Sequence, residues 1–118
     1  MNTVEAVKTV CEAIEEKKGT EIVILEISKI SSFADYFIIC NGFNQRQNQA
    51  ICDAIRESLK RKDHSVPGHV EGYRDADWIL LDYLDYVVHI FSPEAREFYK
   101  LERLWNDGEL VNVEALIA

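Results

Sequence analysis

No apolar run in this 118-residue chain approaches the roughly 20 residues that a helix needs to cross a bilayer. Its first residues, Met1-Asn2-Thr3-Val4-Glu5, offer neither a basic segment followed by an apolar one nor an Arg-rich, acid-poor leader, so no targeting segment is expected. Internal repeats, low-complexity tracts and linkers are missing as well. Cysteine amounts to three residues, an odd number, and Cys11, Cys40 and Cys52 each sit among apolar neighbours. Buried reduced thiols in a cytoplasmic protein fit that usage better than a disulfide framework. Basic residues are in deficit: 13 Lys and Arg stand against 21 Asp and Glu, a net charge of −8. This argues against direct, general binding of nucleic-acid backbone and favours a basic macromolecular partner.

What is present describes an ordinary globular chain. With 47% hydrophobic and 29% charged residues it is not disordered. Its length makes residues 1–118 a single domain that buries about two-thirds of its unfolded surface without disulfide or metal staples.

Val4, Val7, Cys11 and Ile14 recur at helical spacing, with Asn2 and Glu5 forming a capping box and Gly19 supplying a left-handed exit. Residues 21–27 form a β-branched run too short for a helix, expected as a central strand. Residues 35–40 give a second strand, ending at Asn41-Gly42. Asn44 then caps a helix to about Lys62 on Ile51, Ile55 and Leu59, followed by a polar stretch with Pro67 and Gly68. Trp78–Asp82 and Tyr86–Phe91 read as strands joined by a tight connection. Ser92-Pro93-Glu94 starts a third helix carrying Phe98, Leu101, Leu104 and Trp105, stopped by Asn106-Asp107-Gly108. Residues 109–118 are an apolar tail. The order α-β-β-α-β-β-α predicts an α/β domain, a mixed sheet flanked by helices.

Chemistry is sparse. His64 and His69 flank Pro67-Gly68 without a Cys pair or HExxH spacing, His89 is alone in an apolar strand, and no metal site is expected. Cys40 ends a strand before a helix, yet reads better as a small hydrophobe than as a nucleophile. The Gly42–Gln47 turn, at a strand–helix junction with Arg46, is a weak candidate for an anion. Asp75 and Asp77 have the spacing of a Mg²⁺-binding pair, so a nucleotidyltransferase-like enzyme is the alternative function. They fall in a loop, however, where a solvated polar turn is the simpler reading.

The distinctive stretch is 71–85. Glu71, Asp75, Asp77, Asp82 and Asp85 stand against one base, Arg74, interleaved with Tyr73, Trp78, Leu80 and Tyr83. On a strand Trp78, Leu80 and Asp82 share one face, and Ile79 and Leu81 the other. With helices over the Ile79/Leu81 face, the rest is an aromatic anchor rimmed by acid, as suits a basic partner.

These residues carry a resemblance. Residues 32–37 (Ser-Phe-Ala-Asp-Tyr-Phe), Arg46-Gln47, Val70-Glu71-Gly72, 78–83, Asp85, 87–91 and 93–105 together resemble the ribosomal silencing factor family, also called Iojap-like, over about 4–107. Leu84 departs from the family's usual Gly, and Phe43-Asn44 from its small residues. The resemblance implies a nucleotidyltransferase-like fold without the catalytic carboxylates, no cofactor and no enzyme activity. It implies a translational repressor that binds the large ribosomal subunit through ribosomal protein fourteen and blocks subunit joining under starvation. Its contact surface carries over onto Trp78, Leu80, Asp82, Tyr83 and Asp85, to which Glu71, Glu102 and Trp105 are added. An exposed Trp78/Leu80/Tyr83 patch further predicts a homodimer when the protein is free.

Overall fold

A computed structural model describes residues 1–28, 32, 34–99 and 109–111. The chain starts with a helix, α1 (Thr3–Glu16), whose cap is Asn2: its Oδ1 accepts the Glu5 N–H at 2.8 Å, and its amide donates to the Glu5 carboxylate at 2.9 Å. The expected stripe begins a little later than its sequence spacing indicates. Val4 is 48% exposed, while Ala6, Val7, Val10, Cys11 and Ile14 are buried. The left-handed exit is made by Lys18, at φ +62°, rather than by Gly19. Gly19 is required for space instead, because a Cβ there would stand 2.5 Å from Ile14 Cγ2 and 3.2 Å from Ile51 Cδ1.

The strands are β1 (Thr20–Glu26) and β2 (Tyr36–Asn41), followed by α2 (Gln45–Asp63), then β3 (His69–Glu71), β4 (Trp78–Asp82) and β5 (Tyr86–Phe91). The chain continues into α3 (Pro93–Tyr99) and β6 (Glu109–Val111). They form one six-stranded sheet in the order β3-β4-β5-β2-β1-β6. It is mixed: β2 and β5 run parallel, and the other pairs antiparallel. The domain is thus α/β, as expected, with two corrections. The polar stretch after α2 contains an edge strand, β3, and the C-terminal tail contributes β6, which pairs with the outer side of β1. Both are three residues long, too short to show a period of two. The centre of the sheet is therefore β2 and β5 rather than β1, which stands next to an edge.

α2 begins as the Asn44 side chain predicts, its Oδ1 accepting the Gln47 N–H at 2.9 Å. Gln47 returns the bond by accepting the Phe43 N–H, and its amide donates to the carbonyls of Lys17 and Lys18 at 3.0 and 3.1 Å, tying the end of α1 to the start of α2. Ser92 caps α3, its Oγ accepting the Ala95 N–H at 3.3 Å. Leu101, Leu104, Trp105 and the 106–108 stop lie outside the described residues, as does the Phe98 side chain.

Two apolar clusters hold the layers together. On one face of the sheet α1 and α2 pack through Val10, Ile14, Ile51, Ile55 and Leu59 against Ile24, Ile38, Ile79, Leu81, Val88 and Ile90. On the other, Leu25, Phe37, Ile39, Val87 and Phe91 cluster, with Ala95 of α3 packed against them. Each such fully buried side chain contributes about 1.5–3 kcal/mol relative to exposure, so the helix-covered face dominates stability. Cys11, Cys40 and Cys52 are free and buried in that first cluster. Burial pushes the Cys11 and Cys40 thiols up to about 12 and Cys52 to about 11, so all three are protonated and poor nucleophiles.

Candidate functional site

The hairpin β4–β5 and its neighbour β3 decide which side chains meet. Leu80 pairs with His89 and Glu71, and Asp82 with Val87 and His69. Directly paired residues point to the same side of a sheet. Trp78, Leu80, Asp82, Glu71 and His69 therefore share the face opposite α1 and α2, toward the β3 edge. Trp78, Leu80 and Asp82 are half-buried, and Glu71 and His69 exposed. Behind this strip stand Phe37, His89 and Phe91, all buried.

Trp78 is held from two sides. Its ring lies 5.0 Å from that of Phe91, and its indole Nε1 donates to Nδ1 of His89 at 3.0 Å. An indole nitrogen only donates, so His89 carries its own proton on Nε2. Burial pushes the imidazole down to about 3, keeping it neutral at ordinary pH. Next to Leu80 the Glu71 carboxylate lies 2.7 Å from His69 Nε2. The result is an indole and a leucine on a rigid strand, flanked by two carboxylates.

The remaining residues chosen from sequence are placed differently. Tyr83 is not on this face. It is buried with Ile79 and Leu81 in the helix-side cluster, stacked on Tyr86 at 5.2 Å. The parity of positions 79, 81 and 83 carries that signal. Asp85 is exposed at the hairpin tip, where its carbonyl accepts the Asp35 N–H at 2.7 Å. Asp82 has a local duty too, its Oδ1 accepting the Leu84 N–H at 2.8 Å. Glu102 and Trp105 lie outside the described residues. In the sequence His89 is a lone histidine between Val88 and Ile90, with no local sign of a functional partner. Its link to Trp78 follows from the hairpin register, which places it across from Leu80.

The alternative sites are less well built. Asp75 and Asp77 are exposed in the β3–β4 loop, and Asp77 accepts a bond from the Gln45 amide at 3.3 Å. Among the described residues no three His, Cys, Asp or Glu are grouped to hold a metal ion. In the Gly42–Gln47 turn the donors are partly spent: Gly42 N–H goes to the Phe91 carbonyl and Phe43 N–H to Gln47. No helix among the described residues is long and apolar enough to cross a membrane.

Comparison with known proteins gives a consistent result. The family model described as "Ribosomal silencing factor during starvation" matches residues 1–118. The chain is similar to a ribosomal silencing factor of Halalkalibacterium halodurans, 35% identical over 118 residues and covering all of both chains. A more distant relative from Mus musculus is named for mitochondrial assembly of the ribosomal large subunit. It is 28% identical over 110 residues, 86% of this chain and 47% of the mouse protein. A crystal structure of a Chromobacterium violaceum protein superposes with a TM-score of 0.86 at 33% identity, covering 90% of this chain and 88% of that one.

Proposed function

The chain belongs to the ribosomal silencing factor family, and from that premise we propose that it represses translation by binding the large ribosomal subunit and blocking the docking of the small one. The contact is ribosomal protein fourteen, the setting is the cytoplasm under nutrient limitation, and the action is stoichiometric rather than catalytic. The observation that carries this reading is the Trp78–Leu80 strip, half-buried on a rigid strand and flanked by Glu71 and Asp82. An indole anchor with an acidic rim suits a basic ribosomal protein, the aromatic ring supplying affinity and the carboxylates orientation and association rate. The name of the mouse relative supports the large subunit as the platform.

In this reading Trp78, Leu80, Asp82 and Glu71 make the contact and Asp85 adds charge at the hairpin tip, while Glu102 and Trp105, which lie outside the described residues, are contacts proposed from the resemblance alone. When free, the protein pairs with a second copy through the same apolar strip, so self-association competes with the ribosomal partner. The test is a sucrose gradient of mixed subunits. Added protein should reduce the joined particle and co-sediment with the large subunit. Trp78→Ala, checked for its fold by circular dichroism, should lose affinity by about thirtyfold, as a buried interface indole is typically worth 2 kcal/mol or more. Undiminished joining, or full affinity in the folded variant, would refute the proposal.

A further inference from the structure

The half-buried indole of Trp78 is attached to a residue with little reason to be a histidine. His89 is 3% exposed in the middle of β5, among Phe37, Phe91 and Leu80. A phenylalanine would fill the same space. The histidine leaves its Nε2 buried without a hydrogen-bond partner, an arrangement that costs stability. What it adds is an acceptor, Nδ1, 3.0 Å from the Trp78 indole nitrogen. The ring that bears it is fixed by Phe37 edge-on at 4.8 Å and by Phe91 nearly parallel at 6.3 Å.

Resting on the binding face described above, we infer that His89 is a positioning residue, whose Nδ1 holds the Trp78 indole in the pose presented to the partner. The indole edge is then ordered before association. Without the acceptor, Trp78 regains rotamer freedom that binding must remove, and its N–H seeks water on a surface that binding dries. Ordering one such side chain, or losing one neutral hydrogen bond, corresponds to roughly a threefold to tenfold loss of affinity. The effect appears in Trp78 and in binding, not only in stability.

The experiment has two arms. In ¹⁵N-labelled protein, with the two indole resonances assigned by Trp78→Phe, the Trp78 indole proton should exchange slowly with water, and His89 should show an unprotonated Nδ1. His89→Phe, which keeps a ring and removes the acceptor, should speed that exchange and weaken binding to purified large ribosomal subunits by threefold to tenfold. His89→Asn, whose side-chain oxygen can occupy the place of Nδ1, should restore both. His89→Leu is a second acceptor-free variant if the phenylalanine does not fold. Fast indole exchange in the native protein overturns the inference. So does equal affinity of the native and acceptor-free proteins, or failure of asparagine to differ from phenylalanine. If His89→Phe binds normally while Trp78→Ala does not, only the positioning role falls. If Trp78→Ala also binds normally, the face itself is refuted, and this role with it.

Discussion

Leu84 occupies the tip of the β4–β5 hairpin at φ +78°, with 75% of its surface exposed. A left-handed backbone costs a residue with a Cβ about 1–2 kcal/mol, and an exposed side chain has little burial to set against it. Glycine removes that cost but raises the entropy of the unfolded chain by about 0.5–1 kcal/mol. Leu84→Gly should therefore stabilise the fold by about 0.5–1 kcal/mol, a rise in Tm of a few degrees for a domain of this size. The N–H that Asp82 accepts is a backbone group and survives the change. The assay is urea unfolding of native protein, Leu84→Gly and Leu84→Ala, with the slope compared as well as the midpoint. Alanine keeps the Cβ and should gain nothing. A glycine variant no more stable than the alanine variant would show that the turn is unstrained.

Further outcomes follow from the same geometry. Gly72→Ala should destabilise by about 2 kcal/mol or more, since Gly72 has φ +77° and a Cβ there would lie 2.0 Å from the Trp78 carbonyl oxygen; thermal denaturation reads it. Because His89 titrates near 3 when folded against 6.5 when free, only the unfolded chain takes up its proton between those values. Stability should then fall with acid from about pH 6.5 toward 3, by up to about 1.4 kcal/mol per unit. His89→Phe should flatten that slope relative to the native protein in denaturant titrations across pH, and an unchanged slope would show that His89 is not buried neutral. Glu71→Gln with Asp85→Asn should slow association with the large subunit at low salt and much less at high salt, as exposed charges are screened; stopped-flow rates across a salt series check this.

The elements of this protein and their buried faces are determined locally. A burial stripe repeats every three to four residues in α1 and α2, and the capping groups of Asn2, Asn44 and Ser92 act within three residues of themselves. The ranges of β4 and β5, the buried state of all three cysteines and the two-faced character of Trp78–Asp82 came from the same short-range signals. Glycine's role at position 19 is only partly local: a Cβ there would meet Ile14, five positions back, and also Ile51, thirty-two positions on, while Lys18 adopts the left-handed turn.

Only the tertiary structure decided the rest, because it depends on which strand lies beside which. β3 and β6 are three-residue segments with no period of their own, and each exists by pairing with β4 or β1. Tyr83 went to the core because the helices cover the face it shares with Ile79 and Leu81. The Trp78–His89 bond, between residues eleven apart, needs the hairpin register. The Asn41 side-chain oxygen accepts from the buried Arg96 at 3.0 Å across fifty-five residues, and no local pattern announces it. Periodic burial is written many times over in a sequence and can be read from it. A single hydrogen bond between distant side chains is written once, and the fold alone brings its two ends together.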